Sequence, residues 1–228
     1  MTRLLIATRN VHKIREIQDF LGPSYECRGL ENLPGGPEII EDAESFAGNA
    51  TKKAVTIARW LVSSGAPSFL PEFIIADDSG IEVDTLDGAP GVRSARFAAD
   101  EAGRSVPSDA ENNAKLLRLL KVVPVGKRTA RFRCVLALAP LPPTEVGNAS
   151  PVCYSDELEV SVRLFEGVCG GKIAAEPSGK SGFGYDPLFM PDGFDQTFAD
   201  LGEAIKNRIS HRAKALEEMR AYLSRLST

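Results

Sequence analysis

Phe73-Ile74-Ile75-Ala76-Asp77-Asp78-Ser79-Gly80 is the stretch on which the fold of this chain turns. Four apolar residues make a short buried strand, and within one residue the polarity switches to two carboxylates, a hydroxyl and a glycine. Continuously apolar strands belong to sheets covered by helices on both faces. Ligands of such open α/β sheets bind outside the carboxyl ends of the strands, which points to Asp77-Asp78-Ser79-Gly80 as a ligand-facing segment. Side chains alternate along an extended chain, so only one of the two acids is expected to face a ligand. The plainer reading of the same residues is a turn that ends the strand.

Working outward toward the N-terminus, Arg3 to Thr8 reads as another short buried strand. Asn10 then opens a helix with Ile14, Ile17, Phe20 and Leu21 at helical spacing, stopped by Gly22-Pro23. A turn at Pro34-Gly35-Gly36-Pro37 and an acidic patch, Glu38 to Glu44, precede a second helix with Phe46, Ala50, Ala54, Ile57, Ala58 and Leu61 on one stripe. Toward the C-terminus, Ser108-Asp109-Ala110-Glu111 is a capping box that announces a third helix. Arg128 to Ala139 and Asp156 to Phe165 are strand candidates joined by the Pro-rich loop Pro140 to Pro151, which predicts an antiparallel pair. Ser63 to Pro71 is a second long loop, and the last helix starts at Ser210. Interleaved strands and helices, with antiparallel strands in the second half, predict an α/β protein with a mixed sheet.

At 228 residues the chain suits one large domain or two closely packed lobes. Its formal charge of −4 weighs against sequence-independent nucleic-acid binding, which depends on neutralising phosphates. The cysteines Cys27, Cys134, Cys153 and Cys169 form no C-x-x-C pair, so they read as small thiols in a reducing compartment rather than as a zinc site. The apolar run at the N-terminus is too short for a signal peptide, and no stretch approaches the ~20 apolar residues of a membrane span. A soluble, cytoplasmic protein without a membrane or nucleic-acid partner is expected.

Three further constellations carry chemical potential. Thr8-Arg9-Asn10-Val11-His12-Lys13 lies at a strand-to-helix junction, where unpaired N–H groups and the helix dipole favour a phosphate. A capped helix with a solvated lysine is the simpler alternative. Gly179-Lys180-Ser181-Gly182-Phe183-Gly184-Tyr185-Asp186-Pro187 sets aromatics between glycines, either to stack a base or to pack a tight turn. In Lys206-Asn207-Arg208-Ile209-Ser210-His211-Arg212, Ser210 as N-cap places two basic residues against the helix dipole, a local conflict of the kind that collects at functional sites. His211 is otherwise an ordinary surface histidine. Asp78 and its acidic neighbours offer hard oxygen ligands suited to Mg²⁺.

Taken in order, these blocks closely resemble the inosine triphosphatase-like family, the house-cleaning pyrophosphatases of non-standard purine nucleoside triphosphates. The resemblance runs from Leu4 to about Leu216. It is carried by Ala7-Thr8-Arg9-Asn10 with Lys13, by Asn49-Ala50 with Lys53-Ala54, and by Ala76-Asp77-Asp78-Ser79-Gly80. Gly88-Ala89-Pro90-Gly91, Asn112-Asn113-Ala114-Lys115, Arg128-Thr129-Ala130-Arg131-Phe132, Gly182 to Pro187 and Ile209-Ser210-His211-Arg212 complete it.

The resemblance implies a single domain over 1–228 with two lobes around a nucleotide-binding cleft, and a homodimer. It implies hydrolysis of ITP, dITP and XTP to the monophosphate and pyrophosphate, with Mg²⁺. Thr8, Arg9, Asn10, Val11, His12 and Lys13 would then hold the triphosphate, joined by Lys53. Glu41 and Asp78 match the metal-binding acids, and Asp78 the proton acceptor. Ser79, Phe183, Gly184, Tyr185, Asp186, Lys206, His211 and Arg212 fall where the nucleotide is held and its base read. A Maf-like pyrimidine nucleotide pyrophosphatase and a non-catalytic nucleotide- or RNA-binding module are the alternatives. The Ser210-His211-Arg212 block speaks against the first, and the acidic balance against the second.

Overall fold

The computed structural model describes residues 1–33, 35–64, 71–103, 105–142, 152–153 and 160–226. Pro34, most of the loop between Ser63 and Pro71, residues 143–151 of the Pro-rich loop and residues 154–159, which include the first four of the strand candidate, lie outside the described residues.

In chain order, β1 (Thr2–Ile6), α1 (Val11–Leu21), β2 (Tyr25–Gly29), α2 (Phe46–Ser63) and β3 (Phe73–Val83) form the first half. The short helix α3 (Ala99–Ala102), α4 (Asp109–Leu119), β4 (Thr129–Pro140), β5 (Val152–Cys153), β6 (Val160–Ser161) and β7 (Arg163–Ile173) follow. Then come β8 (Phe189–Pro191), α5 (Phe198–Leu201), α6 (Glu203–Ile209) and α7 (His211–Leu226). Six strands form one sheet in the order β2-β1-β3-β4-β7-β8. β1 runs parallel to both neighbours, with Leu4 opposite Cys27 on one side and Phe73 on the other. β7 and β8 are antiparallel, so the sheet is mixed, as the interleaved pattern predicts. Among the described residues no helix is long and apolar enough to cross a membrane.

Local chemistry explains the helix starts. Asn10 Oδ1 accepts from the backbone N–H of His12 and Lys13 at the head of α1. Ser45 accepts from Gly48 N–H at the head of α2, and Ser108 with Glu111 completes the expected capping box of α4. Ser210 Oγ accepts from Ala213 N–H and so caps α7. Gly22 ends α1 at φ 73°, a conformation that only glycine takes without strain.

The chain packs as two compact units. One comprises Met1–Asp78, Val135–Glu166 and Ala215–Thr228, the other Ser79–Cys134 and Gly167–Lys214. The first buries Leu4, Leu5 and Ile6 of β1, Ile14 and Ile17 of α1, Ile57 and Leu61 of α2, and Ile74 and Ile75 of β3. The second gathers Ile81, Val83, Leu116, Phe132, Ile173, Leu188, Phe189 and Phe198 into its core. There Phe132 meets Phe189 edge-on, with centroids 4.7 Å apart.

Two expectations need correction. Asp77-Asp78-Ser79-Gly80 is not a strand-ending turn: β3 continues through it to Val83. Buried carboxylates break a strand only when nothing neutralises them, and here each has a lysine partner. The strand candidate ending at Phe165 in fact breaks at Val162, and β7 continues to Ile173 through Gly167, Gly170 and Gly171. A Cβ at Gly171 would overlap the Met190 carbonyl of β8, so the glycine permits the close approach of the two strands.

Candidate active site

In the first unit, helical spacing assembles a polar cluster around Asp78. Asn49 and Lys53 lie four residues apart on one face of α2, both buried. Lys53 Nζ donates to Asp78 Oδ1 at 2.9 Å and to the Asp77 carbonyl at 2.8 Å, and lies 3.2 Å from Glu41 Oε1. Asn49 Nδ2 donates to Asp78 Oδ2 at 3.3 Å, while its Oδ1 accepts from Ala43 N–H at 2.9 Å. Asn49 therefore ties the segment bearing Glu41 to the carboxylate of Asp78. Lys13, in the first turn of α1, pairs with the fully buried carboxylate of Asp77. The two adjacent acids thus take different lysines, as alternation along β3 requires.

These neighbours set the charge states. Burial pushes the Asp78 carboxyl up, Lys53 and Lys13 pull it back, and the net result stays above the ordinary carboxylate value. Burial alone would lower the Lys53 ammonium, but Asp78, Glu41 and Asp77 outweigh it and hold Lys53 above the ordinary lysine value. Glu41 and Asp78 are hard oxygen donors that share one cationic partner, Lys53. Among the described residues no three acidic, histidine or cysteine side chains are so placed that together they could hold a metal ion. The donor set suits a hard divalent ion that keeps water and substrate oxygens for the rest of its shell.

In the second unit, Phe183 is half-buried beneath two cations. Lys206 Nζ stands 4.3 Å and the Arg212 guanidinium 5.9 Å from its ring centroid. Lys206 is itself buried and donates to Asp186 Oδ2 at 2.6 Å; the same oxygen accepts from Phe183 N–H at 2.8 Å. Arg212, among the largest fully buried side chains, donates from Nη2 to Ser79 Oγ at 2.9 Å. His211 is buried rather than on the surface: its ring stacks on Phe132 at 4.7 Å and 10°. The Ser210 cap turns the first residues of α7 inward, where an aromatic face receives the imidazole.

The remaining residues singled out in the sequence divide by exposure. Arg9, Asn10, Val11 and His12 are exposed, and Thr8 and Lys13 half-exposed. Thr8 and Asn10 serve first as acceptors, since Thr8 Oγ1 takes Asn10 N–H at 3.1 Å and Asn10 Oδ1 takes the N–H groups of α1. Their own donors, the hydroxyl and the amide nitrogen, have no hydrogen-bond partner among the described residues. Tyr185 turns into the core, its hydroxyl donating to the Ser94 carbonyl at 2.9 Å, so any contact with a ligand falls to its backbone. Asn49 is the residue that reading by charge and motif gave no role. Its signal was the four-residue interval to Lys53 on a helix whose buried stripe already contained Ala50 and Ala54.

The first unit thus carries an acid–lysine cluster and the second a cation-flanked aromatic. Comparison with known proteins gives the family. The Ham1 family model matches residues 4–222. The dITP/XTP pyrophosphatase of Desulforamulus reducens is 43% identical over 225 residues, spanning 98% of this chain and 96% of that one. That of Shouchella clausii is 40% identical over 220 residues, covering 96% of each. The solved structure of a HAM1 protein from Coxiella burnetii superposes with a TM-score of 0.75 at 33% identity, covering 99% of this chain and 100% of that one. This chain belongs to the Ham1 family, as its motifs and their order indicate.

Proposed function

We propose that this chain hydrolyses non-standard purine nucleoside triphosphates, ITP, dITP and XTP, to the nucleoside monophosphate and pyrophosphate. The observation that carries the reading is the set Lys13, Lys53, Asp77, Asp78 and Glu41, of which Lys53, Asp77 and Asp78 are buried, because three carboxylates against two ammonium groups leave one excess negative charge. A triphosphate carries about four negative charges, so such a cluster accepts it only together with a cation. Glu41 and Asp78 would hold Mg²⁺, which when bound supplies positive charge to the phosphate oxygens and makes water more acidic. Lys13 and Lys53 bind the phosphates and keep them in register with Asp78. Asp78 accepts the proton of the attacking water, a role its raised pKa favours by making it a stronger base than an exposed carboxylate. Asn49 fixes the carboxylate's orientation.

Base choice is assigned to the second cluster. Phe183 stacks on the base, and Arg212 and His211 donate to the 6-oxo group of hypoxanthine or xanthine. Adenine presents an amino group there, leaving those donors unmatched. Both units are read as parts of one family domain, since the family model runs from residue 4 to 222 without a break. Cytoplasmic placement and a homodimer complete the proposal; light scattering that gives a mass near 24.5 kDa at micromolar concentration counts against the dimer.

The test is pyrophosphate release from ITP, dITP, XTP, ATP, dUTP and dTTP with Mg²⁺. Preference for the first three, abolished by EDTA, supports the assignment. Preference for the pyrimidines moves it to the Maf-like alternative, and nucleotide binding without release makes the chain a binding module.

A further inference from the structure

Gly184, in the middle of the Phe183 loop, is gripped at both of its backbone polar groups by one helix. Its N–H donates to Asp109 Oδ2 at 2.6 Å, and its carbonyl accepts from Asn113 Nδ2 at 3.0 Å. Asp109 and Asn113 stand four residues apart on α4 and so present their side chains one above the other. Phe183 N–H is held in turn by the Asp186 carboxylate of the same loop, so three backbone polar groups of Phe183 and Gly184 are met by side chains, two of them from α4. Packing does not do this work at Gly184. Its φ is +61°, and no atom lies within 4 Å of where a Cβ would stand.

The clamp carries a cost that marks it as more than filler. Asn113 is buried, and its Oδ1 has no hydrogen-bond partner among the described residues. A buried acceptor left unpaired destabilises the fold, and an apolar side chain of the same size avoids that loss. The other end of the amide delivers the bond to Gly184, and that bond is what an apolar residue lacks. The capping box already stabilises α4 through Ser108 and Glu111, so Asp109 is not needed as its cap.

We propose that Asp109 and Asn113 are positioning residues for base selection: they fix the Phe183–Gly184–Tyr185 backbone so that the Phe183 ring keeps its place beneath Lys206 and Arg212. This inference rests on the reading of Phe183 as the stacking partner of the base. Loss of the clamp frees the ring to sample other orientations, which weakens binding of the correct base before it affects the chemistry at Asp78.

The experiment compares Asn113→Leu, Asp109→Ala and Asp109→Asn with wild type, using ITP and ATP as substrates and thermal unfolding as a second readout. Asn113→Leu is expected to raise KM for ITP about tenfold with kcat nearly unchanged, the effect of one lost positioning hydrogen bond. KM for ATP moves less, so the ITP:ATP ratio of kcat/KM narrows, while Tm holds or rises as the unpaired acceptor disappears. Asp109→Ala raises KM for ITP several-fold, and Asp109→Asn, whose amide oxygen still accepts from Gly184, restores it. A fall in Tm with an unchanged KM for ITP overturns the proposal, because it describes a residue that only supports the fold. Equal losses for ITP and ATP overturn it as well. Should Asn113→Leu fail to fold, the exposed position 109 decides: a KM for Asp109→Ala equal to wild type sinks the clamp. If wild type itself does not cleave ITP, the functional reading falls and this inference with it; if wild type cleaves ITP and the variants match it, only the clamp falls.

Discussion

The clusters around Asp78 and around Phe183 both hold a buried lysine–aspartate pair, but they surround it differently. Around Asp78 charge meets charge: Lys53 touches two carboxylates and Lys13 a third. Around Phe183 one ion pair also stands, Lys206 with Asp186, but both cations lie over a ring, His211 lies on another, and Arg212 is met by a neutral hydroxyl. The first arrangement answers to total charge, and the second to shape and direction. Substitutions in the first should therefore affect every substrate alike, whereas those in the second should separate one base from another.

The largest effect is expected at Asp78. Asp78→Asn keeps the shape and the hydrogen bond from Lys53 but can neither accept a proton nor hold a cation as well. Turnover should fall about a thousandfold for ITP and ATP in the same proportion, with the far-ultraviolet circular dichroism unchanged. A base-dependent loss would erase the contrast between the clusters.

Lys53→Met comes next. It removes the charge that most strongly offsets the burial of Asp78, so the Asp78 pKa should rise further and the acid limb of the kcat/KM–pH profile should move to higher pH. Turnover should fall about a hundredfold for both bases, as for a lost charge-stabilising contact. The stability sign follows from the raised Lys53 pKa. In wild type this lysine's contribution is fully present below the ordinary value of 10.5 and is lost as pH rises through the higher folded value. Alkaline unfolding of Lys53→Met should lack that component; an unchanged acid limb would mean that Lys53 does not govern Asp78.

The contrast also explains what could be read from sequence. Strands β1, β3 and β4 and helices α1, α2 and α4 announce themselves by apolar runs, periodicity and caps such as Asn10 and Ser108. β2 was not legible: Tyr25-Glu26-Cys27-Arg28-Gly29 lies on the sheet edge with only Gly29 buried, and only pairing with β1 makes it a strand. The motifs located both clusters, because acids after an apolar strand and a Gly-rich aromatic loop are locally unusual. What the sequence hid was mostly partnership across long separations. The bond from Arg212 to Ser79 spans 133 residues and that from Gly184 to Asp109 spans 75. No local pattern reveals that His211 lies on Phe132, so a buried stacked ring read as a surface histidine.

On the Phe183 side, Arg212→Ala should lower kcat/KM for ITP ten- to a hundredfold and leave ATP nearly unchanged, since adenine gains nothing from the donor. Equal losses would assign Arg212 to the phosphates or to the fold, and the two clusters would then differ in chemistry but not in task.

The smallest effect, and the sharpest test of direction against charge, belongs to Ser79→Ala. The hydroxyl lies 2.9 Å from Arg212 Nη2 and accepts from it, so its removal takes away neither charge nor bulk from the cluster. A guanidinium with one fewer acceptor keeps its charge but loses an anchor that fixes its plane, and a planar fork selects a base only when its plane is fixed. Ser79→Ala should therefore lower kcat/KM for ITP about fivefold, the size of one net hydrogen bond, and change ATP less. In an Arg212→Ala background the same change should cost clearly less, giving a coupling of about 1 kcal/mol between the two positions. If Ser79→Ala costs as much without the arginine as with it, the serine acts through some other contact and the guanidinium is held by charge alone. The Phe183 cluster would then obey the same rule as the one around Asp78.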